Sequence, residues 1–405
     1  MNLNKPLLGV NFFAGDVLAG LGPYLAIYLL SVLKWSPGSI GIALALSTIC
    51  TVIVQTPAGG IVDTVRWKRG LLAICAVTIA VSAVAITFFQ SPFAIYAAQM
   101  AIGVALAFVG PSIAAITLGL VGPDKFTAQT SANQAWNHAG NMIAAALAAG
   151  IALWISVLGV FWLIAMMTIG MVVCIWMIKA DAIDHEVARG GETLEGTAEK
   201  QPSGFATLIN DRRLRIFAIC VVLFHFANAA MLPLVSQKLS ENSDAEHGIA
   251  FTSACIIAAQ LVMILMALFC GWKADVWGRK PLFLLAFAVL PIRGVLFTLG
   301  DDAVYLIAVQ ALDGVANGIF AMLFLLILAD ITAGTGRFNL SQGALATLVG
   351  VGASLSNLIA EEVVEITNYT TGFLMLAGIG LTGLIIFAVF MPETAPHITN
   401  KTKDT

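Results

Sequence analysis

Residues Gly271 to Pro281 read G-W-K-A-D-V-W-G-R-K-P, placing an acid, a turn glycine and two adjacent cations between two long apolar runs. A damaged copy stands 212 positions earlier, at Gly59 to Arg69, and reads G-G-I-V-D-T-V-R-W-K-R. In each copy an aspartate (Asp63, Asp275) follows a glycine by four, and a basic pair follows within six residues. Two related loops at one fixed offset mean that the chain is built twice. The offset recurs elsewhere. Gln99 and Gly103 match Gln310 and Gly314 at 211, Phe126 and Gly140 match Phe338 and Gly352 at 212, and Asp16 falls opposite Asn228 at 212.

A chain of 405 residues could hold two or three soluble domains, but its composition excludes them. Hydrophobic residues make up 59% and charged residues 11%, against roughly 45–50% and about 25% in ordinary globular chains. Apolar runs long enough to cross a bilayer recur along the whole chain, as in a polytopic membrane protein. Bounded by charge, glycine and proline, they give twelve spans: 7–31, 38–62, 69–89, 92–120, 127–155, 159–180, 214–237, 248–272, 281–299, 303–331, 340–366 and 370–391. Backbone polar groups cannot go unpaired in lipid, so these spans are helices. The 20 basic and 23 acidic residues give no sign of nucleic-acid binding. All six cysteines lie in apolar runs and none shows metal-ligand spacing, so neither a metal nor a cofactor is expected. The first apolar run is too long for a cleavable signal and should stay as a helix.

The expected architecture is an all-α membrane protein of twelve transmembrane helices in two pseudo-symmetric six-helix bundles. The first bundle covers 1–180, a polar linker 181–213, the second bundle 214–395 and a tail 396–405. The linker holds Gly190-Gly191 and several acids, then the basic cluster Arg212, Arg213 and Arg215; it reads as a solvated tether. With the N-terminus inside, 17 of the 20 Lys and Arg residues fall in inner loops, Lys34 and Lys238 fall outside, and Arg293 lies within a helix. Cytoplasmic loops of membrane proteins are enriched in these cations, so both termini are expected on the cytoplasmic side. Six-helix halves repeated in parallel are the build of transporters that rock two bundles about a midplane site.

Across its whole length the sequence resembles the major facilitator superfamily. The loop between the second and third helices of each half carries a G-x-x-x-D-x-x-G-R-K pattern in that family. The second copy matches it at Gly271, Asp275, Gly278, Arg279 and Lys280. The first keeps Gly59, Asp63, Lys68 and Arg69 but has Arg66 at the glycine position. The resemblance implies that these loops latch the halves together on the cytoplasmic side. An aspartate there can pair with a cation or cap the N-terminus of a neighbouring helix. The resemblance also implies proton-coupled secondary transport without ATP, and a monomer. Within the family the chain looks most like the bacterial twelve-helix efflux branch. Gln99 stands where that branch usually has arginine, and N-H-A-G-N at 137–141 replaces its Gly-Pro signature. The intact copy predicts a tidy turn at Gly278, a distorted one at Arg66, and a stronger latch at Asp275 than at Asp63.

Ionisable groups within a span are costly and point to function by default. Asp16, about ten residues into span one, reads as a proton carrier or as a structural acid bonded to neighbouring helices. Asp313, in span ten, reads as a second proton carrier, a packing acid behind Gly314, or a partner for Arg293. Arg293 in span nine could bind an anionic substrate or neutralise an aspartate, and pairing is required in either role. Span five holds Asn133, Gln134, Trp136, Asn137, His138 and Asn141 within nine residues. Asn133, Asn137 and Asn141 form a stripe at i, i+4, i+8, which reads as a substrate-facing wall. Trp136 could add stacking there, and His138 a third proton-carrying group. His225 and Asn228 in span seven complete the expected binding set.

These readings converge on a proton-coupled transporter of a small molecule in the bacterial inner membrane. Export of a drug or metabolite is the leading expectation. The alternative is proton-driven uptake, or export, of an organic anion, siderophore or peptidoglycan fragment. A receptor or an intramembrane enzyme has no supporting residue pattern.

Overall fold

The computed structural model describes residues 3–19, 25, 28–29, 32–35, 37–156, 158–191, 210–240 and 245–396. Among these, every regular element is helical. The longer ones are α1 (Lys5–Ala19), α2 (Pro37–Thr64), α3 (Lys68–Phe88), α4 (Pro92–Trp154) and α5 (Gly159–Met177). After the segment up to 209 follow α6 (Arg212–Asn228), α7 (Met231–Ser240), α8 (Ala245–Trp277), α9 (Arg279–Leu296), α10 (Ala303–Thr332), α11 (Phe338–Ile366) and α12 (Tyr369–Phe390). The caps are local. Ser91 Oγ accepts from Ala94 N with Pro92 at the first helical position of α4, Asp211 accepts from Arg213 N and Leu214 N at α6, and Asn368 accepts from Thr371 N at α12.

Nine helices among the described residues are long and apolar enough to cross a membrane, against twelve spans counted from sequence. Spans four and five are two helices that meet end to end within α4, where Gly122 at φ 69° and ψ 171° breaks the helical backbone. That backbone region is essentially closed to residues with a Cβ, and Pro123 beside it cannot continue the hydrogen-bond ladder. Span nine appears as α9, which carries Arg279, Lys280 and Arg293 within 18 residues. Span one runs into 20–24, 26–27 and 30–31, which lie outside the described residues.

The chain divides into two compact units. One comprises residues 1–202 with 332–344, and the other 203–331 with 345–405. In the first, α4 is the central element, packed against α1, α2 and α3, while α5 packs on α1 and α3. In the second, α12 packs against α6 and α9. Aromatic rings fill its interior, with Phe224 stacked on Phe320 at 4.5 Å and Phe283 against Phe387 at 4.8 Å. Of the expected linker, 180–191 folds into two short 3-10 turns that belong to the first unit. Residues 192–209 lie outside the described residues.

The internal duplication has a physical counterpart at its matched glycines. In the first unit, a Cβ on Gly140 of α4 would collide with the Phe12 carbonyl oxygen of α1, and one on Gly103 with the Ser47 carbonyl oxygen of α2. In the second unit, Gly352 meets the Val222 carbonyl of α6 and Gly314 the Ala259 carbonyl of α8 in the same way. Ser47 and Ala259 are themselves 212 positions apart, and Phe12 and Val222 are 210 apart. Each half therefore brings the same pairs of helices into backbone contact at the same places, as small residues permit in membranes.

Gly140→Val should lower the melting temperature of the purified protein, since overpacking such a contact costs about 1–3 kcal/mol. Gly378→Ala, whose added Cβ meets nothing within 4 Å, should leave it unchanged. Equal melting temperatures for the two variants would show that the crossing is not close-packed.

Candidate functional site

The second unit holds a buried ionic cluster. Arg293 of α9 is 0% exposed, and its guanidinium pairs with the Asp313 carboxylate of α10. Its Nη2 also donates to Asn228 Oδ1 of α6 at 2.6 Å, and its Nε lies 3.1 Å from the Met231 sulfur of α7. Asn317, one turn beyond Asp313, donates to the same carboxylate oxygen at 3.0 Å. The Arg293 guanidinium also sits 5.9 Å from the Phe297 ring centre. Three of the expected site residues, Arg293, Asp313 and Asn228, thus come together, while Met231 and Asn317 were not foreseen. Met231 carries no polar signature, and Asn317 could have been found from its i+4 spacing to Asp313. His225, one turn before Ala229 on α6, is half-buried, with Nδ1 3.3 Å from the Val221 carbonyl and its ring edge on Phe320 at 4.6 Å. In the first half, Val81 and Ile102 stand at the positions of Arg293 and Asp313.

Much of the polar stripe of α4 is engaged within the first unit. Asn133 is buried and donates to Thr117 Oγ1 at 3.1 Å, while its Oδ1 accepts from Gln129 Nε2 at 3.0 Å. Gln129 in turn accepts from Asn4 N at 2.7 Å. Asn137 donates to the Asn11 carbonyl of α1 at 3.1 Å. These bonds clamp α1 to α4 beside the Gly140 crossing. Trp136 is 47% exposed and meets Phe12 edge-on; His138 and Asn141 are half-buried. Asp16 lies in α1, and its side chain falls outside the described residues.

The two loop copies are built differently. Gly278 alone joins α8 to α9, at φ 93° and ψ 173°, again a backbone region for glycine. Three residues, 65–67, join α2 to α3, and Trp67 takes φ −91° and ψ 47°. In the second copy, Arg279 donates to Asp275 at 2.7 Å and to Asp330, at the end of α10, at 3.1 Å. Glu393, just past α12, accepts from the backbone N–H groups of Arg279 and Lys280 at 2.8 and 3.0 Å, capping α9. This network lies inside the second unit.

In the first copy the acid does something else. Asp63 is buried at the last turn of α2, and its carboxylate accepts from Asn339 N at 3.1 Å, Asn339 Nδ2 at 2.9 Å and Leu340 N at 2.9 Å. Those N–H groups belong to the first turn of α11, whose preceding residue, Arg337, has no side-chain oxygen to cap it. A carboxylate at a helix N-terminus meets both the unpaired donors and the positive end of the macrodipole. Gly59 makes room, since a Cβ there would strike the Asn339 carbonyl. Lys68, also buried, donates to the Val62 and Val65 carbonyls at 2.6 and 2.7 Å and so closes the C-terminus of α2. A strap from 180–191 completes the arrangement. Ala188 O accepts from Asn339 Nδ2 at 3.0 Å, and Asp184 caps its own turn through Glu186 N and Val187 N while its backbone N–H donates to Gly119 O. Burial, together with nearby Lys68 and Arg66, holds the His185 imidazole of the strap below its ordinary pKa. The two copies thus differ in what their acids hold: Asp63 caps the first turn of α11, and Asp275 pairs with Arg279 of its own loop.

Removing the carboxylate of a buried pair leaves its cation unbalanced. Asp313→Asn should therefore destabilise the protein by about 3–5 kcal/mol, whereas Arg293→Met combined with Asp313→Leu should come close to the wild type. Thermal unfolding in detergent measures both, and a double variant no more stable than Asp313→Asn would contradict the pairing.

The family model described as Major Facilitator Superfamily matches residues 7–259 and 217–405. A protein of Mycobacterium tuberculosis named as an uncharacterised MFS-type transporter is 45% identical over 385 residues, covering 95% of this chain and 92% of the relative. The crystal structure of FucP, a Major Facilitator Superfamily transporter in the outward conformation, aligns with a TM-score of 0.77 at 12% identity, covering 96% of this chain and 98% of that one. The proton:xylose symporter XylE aligns at 0.70 with 15% identity, covering 96% and 95%.

Proposed function

The chain belongs to the Major Facilitator Superfamily, a multi-pass membrane transporter rather than an enzyme, and from that premise we propose that it is a proton-coupled secondary transporter. It works by alternating access in the bacterial inner membrane, with both termini cytoplasmic, and exports a small organic molecule. The observation that carries this reading is the enclosed Arg293–Asp313 pair with Asn228. Protonating Asp313 removes the charge that balances Arg293 in a medium where an isolated cation is expensive. The guanidinium must then find another acceptor or move, so one proton on Asp313 is coupled to a rearrangement of α6, α9 and α10. Asp16 stands at the repeat position of Asn228 and is the matching carrier in the first half, with His138 beside the α1–α4 crossing as a further one. His225, Asn228, Arg293, Trp136 and Asn141 supply substrate contacts, and Asn133 and Asn137 hold the wall that carries them.

The Asp63 cap is the latch of this cycle. The first turn of α11 belongs to the first compact unit, where three hydrogen bonds to one carboxylate hold it to the end of α2. Gly59, Asp63 and Lys68 form the gripping side of the latch. Gly271, Asp275, Gly278, Arg279 and Lys280 keep the second unit rigid through Asp330 and Glu393.

Export follows the resemblance to the efflux branch. Uptake of an organic anion is the second reading, favoured by a cation at the centre of the second unit. Proteoliposomes with an internal pH dye, challenged with cationic drugs, siderophores, sugars and organic acids, separate the two by the sign of the substrate-driven pH change. Asp16→Asn and Asp313→Asn should each abolish that change while substrate still shifts the melting temperature. Undiminished pH-driven flux in both variants would sink the assignment.

A further inference from the structure

The departure of the first loop copy from the second opens a site on the outer face of the first unit. Trp67 occupies the repeat position of Arg279. Its side chain turns outward. Its indole lies over Gly70, where an added Cβ would sit 2.9 Å from the ring, and the residue is 56% exposed. Across from it, on α5, stands Trp176, also exposed. Beside Trp176 lies Arg69, whose guanidinium is 5.3 Å from the Trp176 ring centre and donates to the Ile178 carbonyl. Among the described residues no carboxylate forms an ion pair with Arg69.

A groove of about 620 Å³ runs from these aromatic rings along α3 and α5. Trp67, Gly70, Ala73, Ile74, Val77 and Val81 form one side, and Val172 and Trp176 the other. Thr78 adds no polar demand, because its hydroxyl donates to the Ile74 carbonyl at 2.8 Å. From Trp67 to Ser82 the helix rises about 22 Å, and the hydrocarbon of one leaflet is about 15 Å deep. The groove is thus long enough for one acyl chain and apolar along that length, with Arg69 against Trp176 at its end. Tryptophan favours the headgroup level of a bilayer, and Lys179 beside Ile178 adds a second exposed cation at that end.

We propose that this groove binds one anionic phospholipid, with its phosphate on Arg69 beside Trp176 and an acyl chain along Gly70 to Val81. The plain structural role of Arg69, closing the C-terminus of α5 through Ile178, uses one of its donors and leaves its charge unbalanced. An anionic headgroup balances it. A zwitterionic lipid carries its own counter-charge, and a neutral protein helix in the groove would leave the cation buried against apolar surface.

Native mass spectrometry of the full-length protein, titrated with phosphatidylglycerol and with phosphatidylcholine of identical chains, tests this. One phosphatidylglycerol should be retained more tightly than phosphatidylcholine. Arg69→Gln should weaken phosphatidylglycerol about fivefold and leave phosphatidylcholine unchanged, as expected for one cation at an anionic headgroup. Val77→Trp, at an exposed position in the groove, should weaken both lipids without altering the elution volume of the protein. Glycerol phosphate, a headgroup without chains, should not compete. Equal retention of the two lipids, full competition by glycerol phosphate, loss of a second copy of the chain in Val77→Trp, or unchanged phosphatidylglycerol binding in both variants would each overturn the proposal.

Discussion

Three hydrogen bonds to one carboxylate fix the start of α11. Asp63 sits at the wrong end of α2 for a negative charge, where the helix dipole disfavours it. Lys68 offsets this by closing the α2 carbonyls with its ammonium. The carboxylate is then free to serve the unpaired N–H groups of a helix that has no cap of its own. Asn339 links that contact to the strap at 180–191, because its amide nitrogen donates both to Asp63 and to the Ala188 carbonyl. The strap, the end of α2 and the beginning of α11 therefore stand or fall together.

The same sequence motif does two different jobs in one chain. Where the second copy has Arg279 facing Asp330, the first has Trp67. The second copy pairs its acid with Arg279, and Glu393 caps α9. The first leaves its acid available for another helix and turns a tryptophan outward. A related division holds in the spans, where Arg293 and Asp313 have Val81 and Ile102 as counterparts.

The fold was legible because bilayer crossing imposes long apolar helices and because the repeat offset is visible at glycines that mark backbone contacts. Gly103, Gly140, Gly314 and Gly352 could be matched from sequence before their contacts were known. The pairing of Arg293 with Asp313 was also legible, since a cation at that depth demands an acid. Less legible was the division of work between the loop copies. A match to a motif does not reveal which partner each acid can reach, and the Asp63 contact with Asn339 and Leu340 spans 276 and 277 positions. Asn133 and Asn137 read as a binding wall because polar groups in a span are costly. Their acceptors, Thr117 and the Asn11 carbonyl, lie 16 and 126 residues away in sequence, and no local spacing announces them. Asn339 and Glu393 were missed for the same reason.

If the Asp63 cap is the gripping side of the latch, as proposed, its loss changes the conformation of this transporter. Spin labels at positions 181 and 276, introduced after replacement of the six native cysteines, would report the distance between the two compact units by double electron–electron resonance. Asp63→Asn should move a substantial fraction of the population to a longer distance, and Asp275→Asn should leave the wild-type distribution in place. A distribution that shifts with Asp275→Asn and not with Asp63→Asn would contradict the account.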